Sequence, residues 1–385
     1  EQGYQRRLID DLARGGDRKA PEARPAVQAA FCIDVRSEII RRAFETVCPR
    51  GQTLGFAGFF GVPIEHVPLG AVEPRSHMPV LLKPKYRVCS EVHTADVHDA
   101  EAALATQRRR TGLAKSWKAF KMGASSCFSF VEAAGLLLYA PKIIADSFGW
   151  SRPVAAPDDL RLDDATGRRV GPTLDAPHHG ACAHHHAHAD IGIPAADRVP
   201  LAEGILRAMS MTGNYARLVL LVGHGSTVVN NPHATGLDCG ACGGMTGEAS
   251  ARIGAALLND PAVRKGLVER GIEIPADTWF VGALHDTCVD EVTLYDTDRL
   301  PAGYAEELAE LRSWLKQAGE LTRLQRAARL GLENQSLRAV TANVRHRSRD
   351  WAQVRPEWAL AGCAAFIAAP RERTRGLDLG GRTFL

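Results

Sequence analysis

The chain has 385 residues, 45% of them hydrophobic and 24% charged, and a formal net charge of +3. That near-neutrality gives no support for nucleic-acid binding. The length and apolar content suffice for two or three typical domains, or for one large domain with insertions. Nine cysteines, an odd number at scattered spacings, argue against a secreted disulfide scaffold and for reduced thiols, some of them metal ligands. The longest apolar run, residues 133–140, is short of the ~18 residues of a membrane span and is followed by Pro141 and Lys142. No signal peptide is visible. The chain begins at Glu1 and stops at GGRTFL just after a strand-like run, so it is expected to be part of a longer protein.

Residues 1–24 are polar and Arg-rich, with a helix expected at 4–13. An apolar stretch then reads as a buried strand around 26–36 and carries the string FCIDVRSE at 31–38. Ser37 can cap the next helix and Glu38 suits its first turn. Ile39, Ile40, Ala43, Phe44 and Val47 recur at helical spacing. Residues 50–92 are rich in Gly and Pro and read as loop. A helix with a basic face follows at 96–122 (Arg108, Arg109, Arg110, Lys115, Lys118, Lys121). A strongly apolar helix at 128–147 is expected to kink at Pro141.

Residues 151–200 are dense in Pro, Asp and His and read as an insertion. Regular structure resumes with a helix at 202–211 and a strand at 216–222, which ends in Gly223-His224-Gly225-Ser226. A Gly/Asn/Cys-rich loop at 226–245 precedes helices at 247–259 and 261–270. A strand at 279–284 runs into His285-Asp286-Thr287. Helices at 303–330 and 334–345 and an apolar run at 364–369 complete the chain. The expected fold is α/β, with a mostly parallel central sheet, flanking helices and large insertions. Residues 1–150 would form the first half of the core with a helical insertion, 151–200 a His/Pro-rich insertion, and 201–385 the second half.

Cys32, Asp34 and Arg36 alternate, so on a strand they share one face. A thiolate with a carboxylate suits a borderline metal such as zinc. Taken alone, the pair also reads as a buried Cys beside a capping Asp. His224 follows a very apolar strand between two glycines. Cys239 sits in a loop too glycine-rich to be core. Gly-His-Gly-Ser also fits an ordinary turn, and Cys239 with Cys242 a redox pair or half a zinc ribbon, although no second C-x-x-C stands at ribbon spacing. Together Cys32, Asp34, His224 and Cys239 make a coherent set of two thiolates, one imidazole and one carboxylate. A displaceable carboxylate favours a catalytic site over a closed structural one. The Arg36 guanidinium can capture Asp34 and open the fourth position to water.

Other groups stay open. His178, His179, His184, His185, His186 and His188, with Cys182, read as a solvated loop, a proton-buffering surface or an adventitious metal site. His285-Asp286, His233 and Asp238 fit proton transfer or plain structural roles equally. The basic face at 108–121 is either a solvated surface or a docking surface for an acidic partner or membrane headgroups.

Cys32-Ile33-Asp34-Val35-Arg36 resembles the Cys-x-Asp-x-Arg motif of β-carbonic anhydrases. The second motif of those enzymes, His-x-x-Cys-Gly, is stretched here: His224 and Cys239 lie far apart, though Gly240 follows Cys239. Over most of its length the chain more closely resembles the DabA family, a subunit of a bacterial inorganic-carbon accumulation system. The strings that carry this are FCIDVRSE, GHGSTVVNNPHATGLDCGACGG at 223–244, the HDT at 285–287, and DWAQVRPEWALAGCAAFIAAPR at 350–371. The resemblance implies a zinc ion held by Cys32, Asp34, His224 and Cys239, with Asp34 and Arg36 as the catalytic dyad. It implies a β-carbonic-anhydrase-like core that hydrates CO2 to bicarbonate. It also implies an antiporter-like, proton-conducting membrane partner, DabB, a peripheral position on the cytoplasmic face of the bacterial inner membrane, and activity only in that complex. The rival readings are a metal-dependent phosphatase or sulfatase-like hydrolase, and a non-catalytic zinc-stabilised scaffold of a membrane complex.

Overall fold

Along residues 27–31 and 218–222, alternate apolar side chains must leave opposite faces, so both faces of the sheet they build need cover. A computed structural model shows how this is met. It describes every residue except 16–22, 151–161, 178–190, 229–235, 237, 351, 354–361 and 385.

In chain order, α1 (Gln2–Gly15) precedes β1 (Gln28–Cys32), α2 (Val35–Val47) and β2 (Gln52–Phe56). Three further strands follow: β3 (Ile64–Val67), β4 (Arg75–Ser76) and β5 (Tyr86–Val92). The helices α3 (Val97–Met122), α4 (Ser126–Ala134) and α5 (Ala140–Ser147) come next, the last two joined by a π-helical turn at Gly135–Tyr139. Then come α6 (Asp164–Arg168), β6 (Val170–Pro172), α7 (Ala195–Ala208) and β7 (Leu218–Gly225). The remainder holds α8 (Glu248–Asn259), α9 (Pro261–Val268), β8 (Trp279–Asp286), β9 (Glu291–Leu294), α10 (Ala305–Ala327), α11 (Leu337–Arg349), β10 (Ala365–Phe366) and β11 (Thr383–Phe384).

The main sheet has the order β2-β1-β7-β8-β9, parallel throughout except for β9. On one face Ala29, Phe31, Leu220 and Val222 pack with Ile40 and Phe44 of α2 and Leu311 and Leu315 of α10. On the other, Ala30, Val219 and Leu221 pack with Leu206 of α7, Ile253 and Leu257 of α8, and Leu267 of α9. The smaller sheet, β4-β3-β5-β6, packs onto this second face through Ile64 and Val88. After β1 the chain moves outward to β2, whereas β7 docks on the other side of β1. The strand order therefore reverses between β1 and β7. Carboxyl ends at such a reversal leave a crevice, the usual place for a site in an open α/β sheet.

The mixed α/β class with a mostly parallel sheet is as expected; several boundaries are not. The first strand stops at Cys32. Asp34 is the N-cap of α2, with extended φ −146 and ψ 135, and its side chain accepts from the Arg36 N–H. Ser37 thus lies inside the helix, and Cys32, Asp34 and Arg36 do not share a strand face, because the capping bond ends the extended backbone. Residues 50–92 contain four strands rather than loop, since their glycines and prolines sit at turns such as Gly61 and Gly70, both at positive φ. β7 and β8 run on through His224 and His285 because the two strands stay paired to Gly225 and Asp286. The apolar helical stretch Ser126–Ser147 is broken by the π turn just ahead of Pro141, and by length and composition it is long and apolar enough to cross a membrane. Counting only uninterrupted apolar residues misses it.

Asp290 and Arg326, both almost fully buried, form an ion pair between the end of β8 and α10. Removing one partner of such a pair leaves an uncompensated charge. Arg326→Met is expected to lower the unfolding free energy by about 3–5 kcal/mol, measured as a fall in the urea midpoint at unchanged slope.

Candidate metal centre

Three elements converge at the reversal between β1 and β7. Cys32 is the last residue of β1 and His224 lies near the end of β7. Cys239 comes from the loop after β7, which folds back on itself: its N–H donates to the Met245 carbonyl at 3.0 Å, and its own carbonyl accepts from the N–H groups of Cys242 and Gly244, both at 3.0 Å. Gly243 and Gly244 take the positive φ values that this turn needs. Asp238 pins the loop to the strand, since its Oδ1 accepts from Ser226 N–H at 3.0 Å and from Ser226 Oγ at 3.2 Å.

The ligand atoms of Cys32, His224 and Cys239 all lie within 4.8 Å of one another, and all three residues are buried. The two sulfurs are 3.6 Å apart. Two thiolates at ~2.3 Å from a tetrahedral zinc stand ~3.8 Å apart, so the pair is spaced for such an ion. His224 Nδ1 is buried without a hydrogen-bond partner among the described residues. A buried ring nitrogen left so is costly unless something binds it. Gly58 lies against both sulfurs: a Cβ there would fall 2.5 Å from Cys32 Sγ and 2.7 Å from Cys239 Sγ. Only glycine fits that position.

The charge state of the cluster points the same way. Hydrogen bonds from Cys242 and then Cys32 pull the Cys239 thiol down to about 3, against its burial. The hydrogen bond to Cys239, together with burial, pushes Cys32 well up, and Cys242 likewise. These opposed directions favour negative charge on Cys239 over Cys32 and Cys242. A divalent ion would let a second thiol ionise as well. Burial pushes the His224 imidazole below its ordinary range, which favours the neutral form that can ligate a metal. These residues fit a zinc ion.

Asp34 sits at the rim of the cluster. Arg36 grips it twice, Nε to Oδ1 at 2.8 Å and Nη2 to Oδ2 at 3.0 Å. Its Oδ2 is 3.4 Å from His224 Nε2, and Arg36 Nη2 lies 3.3 Å from the same nitrogen and 3.4 Å from the Asp238 carbonyl. Burial pushes the Asp34 carboxyl up, but the Arg36 bonds and the nearby His224 outweigh it and hold it at about 2. Beside the cluster, β8 pairs His285 with His224 in register. His285 Nδ1 is 3.0 Å from Ser37 Oγ, and its Nε2 is 3.4 Å from Asp290 Oδ1. Burial pushes Asp286 up to about 6, although Thr227 Oγ1 and the Cys288 N–H both donate to it.

The histidine cluster at 178–188, Cys182 and His233 lie outside the described residues. Sequence reasoning singled out His285 for proton transfer or a structural role; it missed Gly58, in a segment read as loop, and the continuation from His285 through Asp290 to Arg326. The repeated glycines of GFAGFFG at 55–61 were the one available signal for the first. For the second, the HDT string at 285–287 marked His285 but not its partners.

The family model described as "Probable inorganic carbon transporter subunit DabA" matches residues 1–385. Curated proteins of that same description are similar to the whole chain. One from Acidithiobacillus ferrooxidans is 55% identical over 386 residues, which is 100% of this chain and 46% of that relative. One from Chloroflexus aggregans is 51% identical, again over 100% of this chain and 45% of the relative. The chain therefore spans a little under half the length of these relatives. No solved structure matches.

Gly58→Ala is expected to push the Cys32 and Cys239 sulfurs apart and so to abolish binding of an added divalent metal ion, while far-ultraviolet circular dichroism stays that of the wild type. Asp286 carries a pH signature. The fold favours its protonated form, so its stabilising contribution is full below the ordinary carboxylate value of 3.8 and is lost as pH rises through about 6. Asp286→Asn cannot ionise; its amide oxygen still accepts from the Cys288 N–H, and its NH2 turns the Thr227 bond round by donating to the hydroxyl oxygen. Its Tm relative to wild type should rise between about pH 4.5 and about pH 7.5, followed by calorimetry.

Proposed function

The chain belongs to the DabA family of probable inorganic carbon transporter subunits, and from that premise we propose that it carries the zinc centre at which an inorganic-carbon uptake complex hydrates CO2 to bicarbonate. The single observation that carries this reading is the Arg36-held Asp34 carboxylate at the edge of a buried Cys32–His224–Cys239 set. Cys32, His224 and Cys239 would hold the ion, with Asp34 as the fourth, displaceable ligand. Zinc would supply Lewis acidity that lowers the pKa of water, more weakly on two thiolates and one imidazole than on three imidazoles.

The rest falls to the protein's own side chains. Arg36 decides where Asp34 points, because a bidentate guanidinium occupies both carboxylate oxygens. Held at about 2, Asp34 stays anionic at neutral pH. It therefore orients water by accepting a hydrogen bond and is a poor store for the proton released when CO2 and water become bicarbonate. That proton has to leave by other groups, and His285, tied to Ser37 at 3.0 Å, is the first along the interior route. Release of the proton is where a proton-conducting membrane partner, DabB, would couple. It would place this subunit at the cytoplasmic face of the bacterial inner membrane. The core would be β-carbonic-anhydrase-like in its chemistry, with the loop between His224 and Cys239 much enlarged.

Elemental analysis should find about one zinc per chain, lost in Cys32→Ala, His224→Ala and Cys239→Ala. Retention in all three would place the metal elsewhere. Arg36→Ala should keep the zinc and the fold, yet lower bicarbonate accumulation by about a hundredfold when expressed with the membrane partner. Unchanged uptake would sink the dyad mechanism and leave the scaffold reading.

A further inference from the structure

The metal centre makes no use of the segment between β5 and α6, and that segment carries an unusual surface. α3 starts as an ordinary amphipathic helix, with Ala100, Ala103, Leu104 and Gln107 buried against the smaller sheet. From Arg108 it leaves the protein body: residues 108–122 are exposed but for a half-buried Thr111. The chain turns at Gly123 and comes back through α4, the π turn and α5. Just beyond α5, Arg349 of α11 donates to the Gly149 carbonyl at 3.1 Å and anchors the return. The two arms clasp each other through Trp117, Phe120, Phe130 and Tyr139, in edge-on contacts with centroids 5.2–5.4 Å apart.

Outside that clasp the returning arm is bare. Phe128, Val131, Leu136, Leu137, Leu138 and Ile144 are exposed, Leu136 by 79% and Leu137 by 75%. Three consecutive exposed leucines, Leu136 to Leu138, fan over a broad arc of the π turn, wider than the stripe that packing on one neighbour would bury. An exposed apolar face this broad belongs against a core or in lipid. Ser126–Ser147 has a mean hydropathy of 1.5 over its most apolar stretch, of which 11% is buried. Since both ends return to the same protein body, this arm by itself does not take the chain across a bilayer. The geometry is that of a hairpin lying in the interface.

Charge selects the kind of surface. Residues 108–147 hold seven Lys or Arg and two acids, Glu132 and Asp146, and Asp146 is paired with Lys142. Exposed cations on one arm, exposed aliphatics on the other, and Trp and Tyr between them match an anionic headgroup layer above an acyl boundary. An acidic protein partner would answer the charge and leave Phe128, Val131 and the three leucines wet.

We infer that the hairpin 108–147 seats this protein on an anionic phospholipid bilayer, with the arm 126–147 in the acyl boundary and Arg108–Arg110, Lys115, Lys118 and Lys121 on the phosphates. The inference stands whether or not the centre hydrates CO2. The test is flotation of the chain with phosphatidylcholine vesicles, with and without phosphatidylglycerol. The chain should float with the anionic vesicles, and less as salt rises. Leu137→Glu with Leu138→Glu should cut binding more than tenfold. Lys115→Glu, Lys118→Glu and Lys121→Glu together should remove the preference for phosphatidylglycerol, at roughly fivefold per charge. Zinc content measured on the same samples reports folding of the centre separately. Absence of flotation with both vesicles, or flotation unchanged in the leucine variant, would overturn the proposal. So would self-association that the leucine variant abolishes in the absence of any vesicle binding.

Discussion

Two buried sulfurs 3.6 Å apart cannot both carry charge unless a cation sits with them. Most of the local architecture serves to create that situation. β1 and β7 are neighbours, which brings Cys32 and His224 side by side. Asp238 ties down the loop that delivers Cys239. Glycine at 58 leaves room for both sulfurs, and glycine at 223 lets the Gly247 backbone approach and its N–H donate to the His224 carbonyl at 3.0 Å. Each feature would be a cost in a protein without a metal. Together they describe a site that could hold a metal ion and whose charge such an ion would balance.

Asp34 joins the fold to the chemistry. As the N-cap of α2 it satisfies an orphan donor, and with Arg36 it forms a bidentate pair beside His224. The same carboxylate thus ends β1, starts α2 and faces the cluster. A small change in the Arg36 grip would move charge at the centre without moving any secondary structure, which suits the displaceable fourth ligand of the proposed reading. The Ser37–His285 contact begins one turn further along the same helix, so its position is set by the same cap.

The molecule divides its polar and apolar extremes. The catalytic candidates are enclosed at the carboxyl edge of a sheet covered on both faces, whereas the hairpin 108–147 displays bare leucines and a basic arm to the outside. In the reading proposed above, one part carries out hydration and the other holds the protein where its product and proton can be moved. The two depend on different physics, metal–thiolate charge balance in one and interfacial partition in the other, and each can fail without the other.

Much of this was legible in the residues themselves. The strings around Cys32, His224 and Cys239 named the family and the three residues that meet in the buried cluster. Alternation and helical spacing located β1, β7, β8 and most helices, because burial on both faces leaves a strong apolar pattern. Other features were decided by tertiary structure. Asp34 left the strand because capping α2 satisfies a backbone donor that strand geometry would leave open. The strands of residues 50–92 stayed hidden because their pairing is non-local and their glycines mark turns between strands. Gly58 mattered only once two sulfurs from distant segments met beside it, and His285 only once β8 lay against β7. The sequence by itself determined which groups could bind a metal. Which of them meet, at what distance and in what charge state, depended on strand neighbours and burial, which no local pattern encodes.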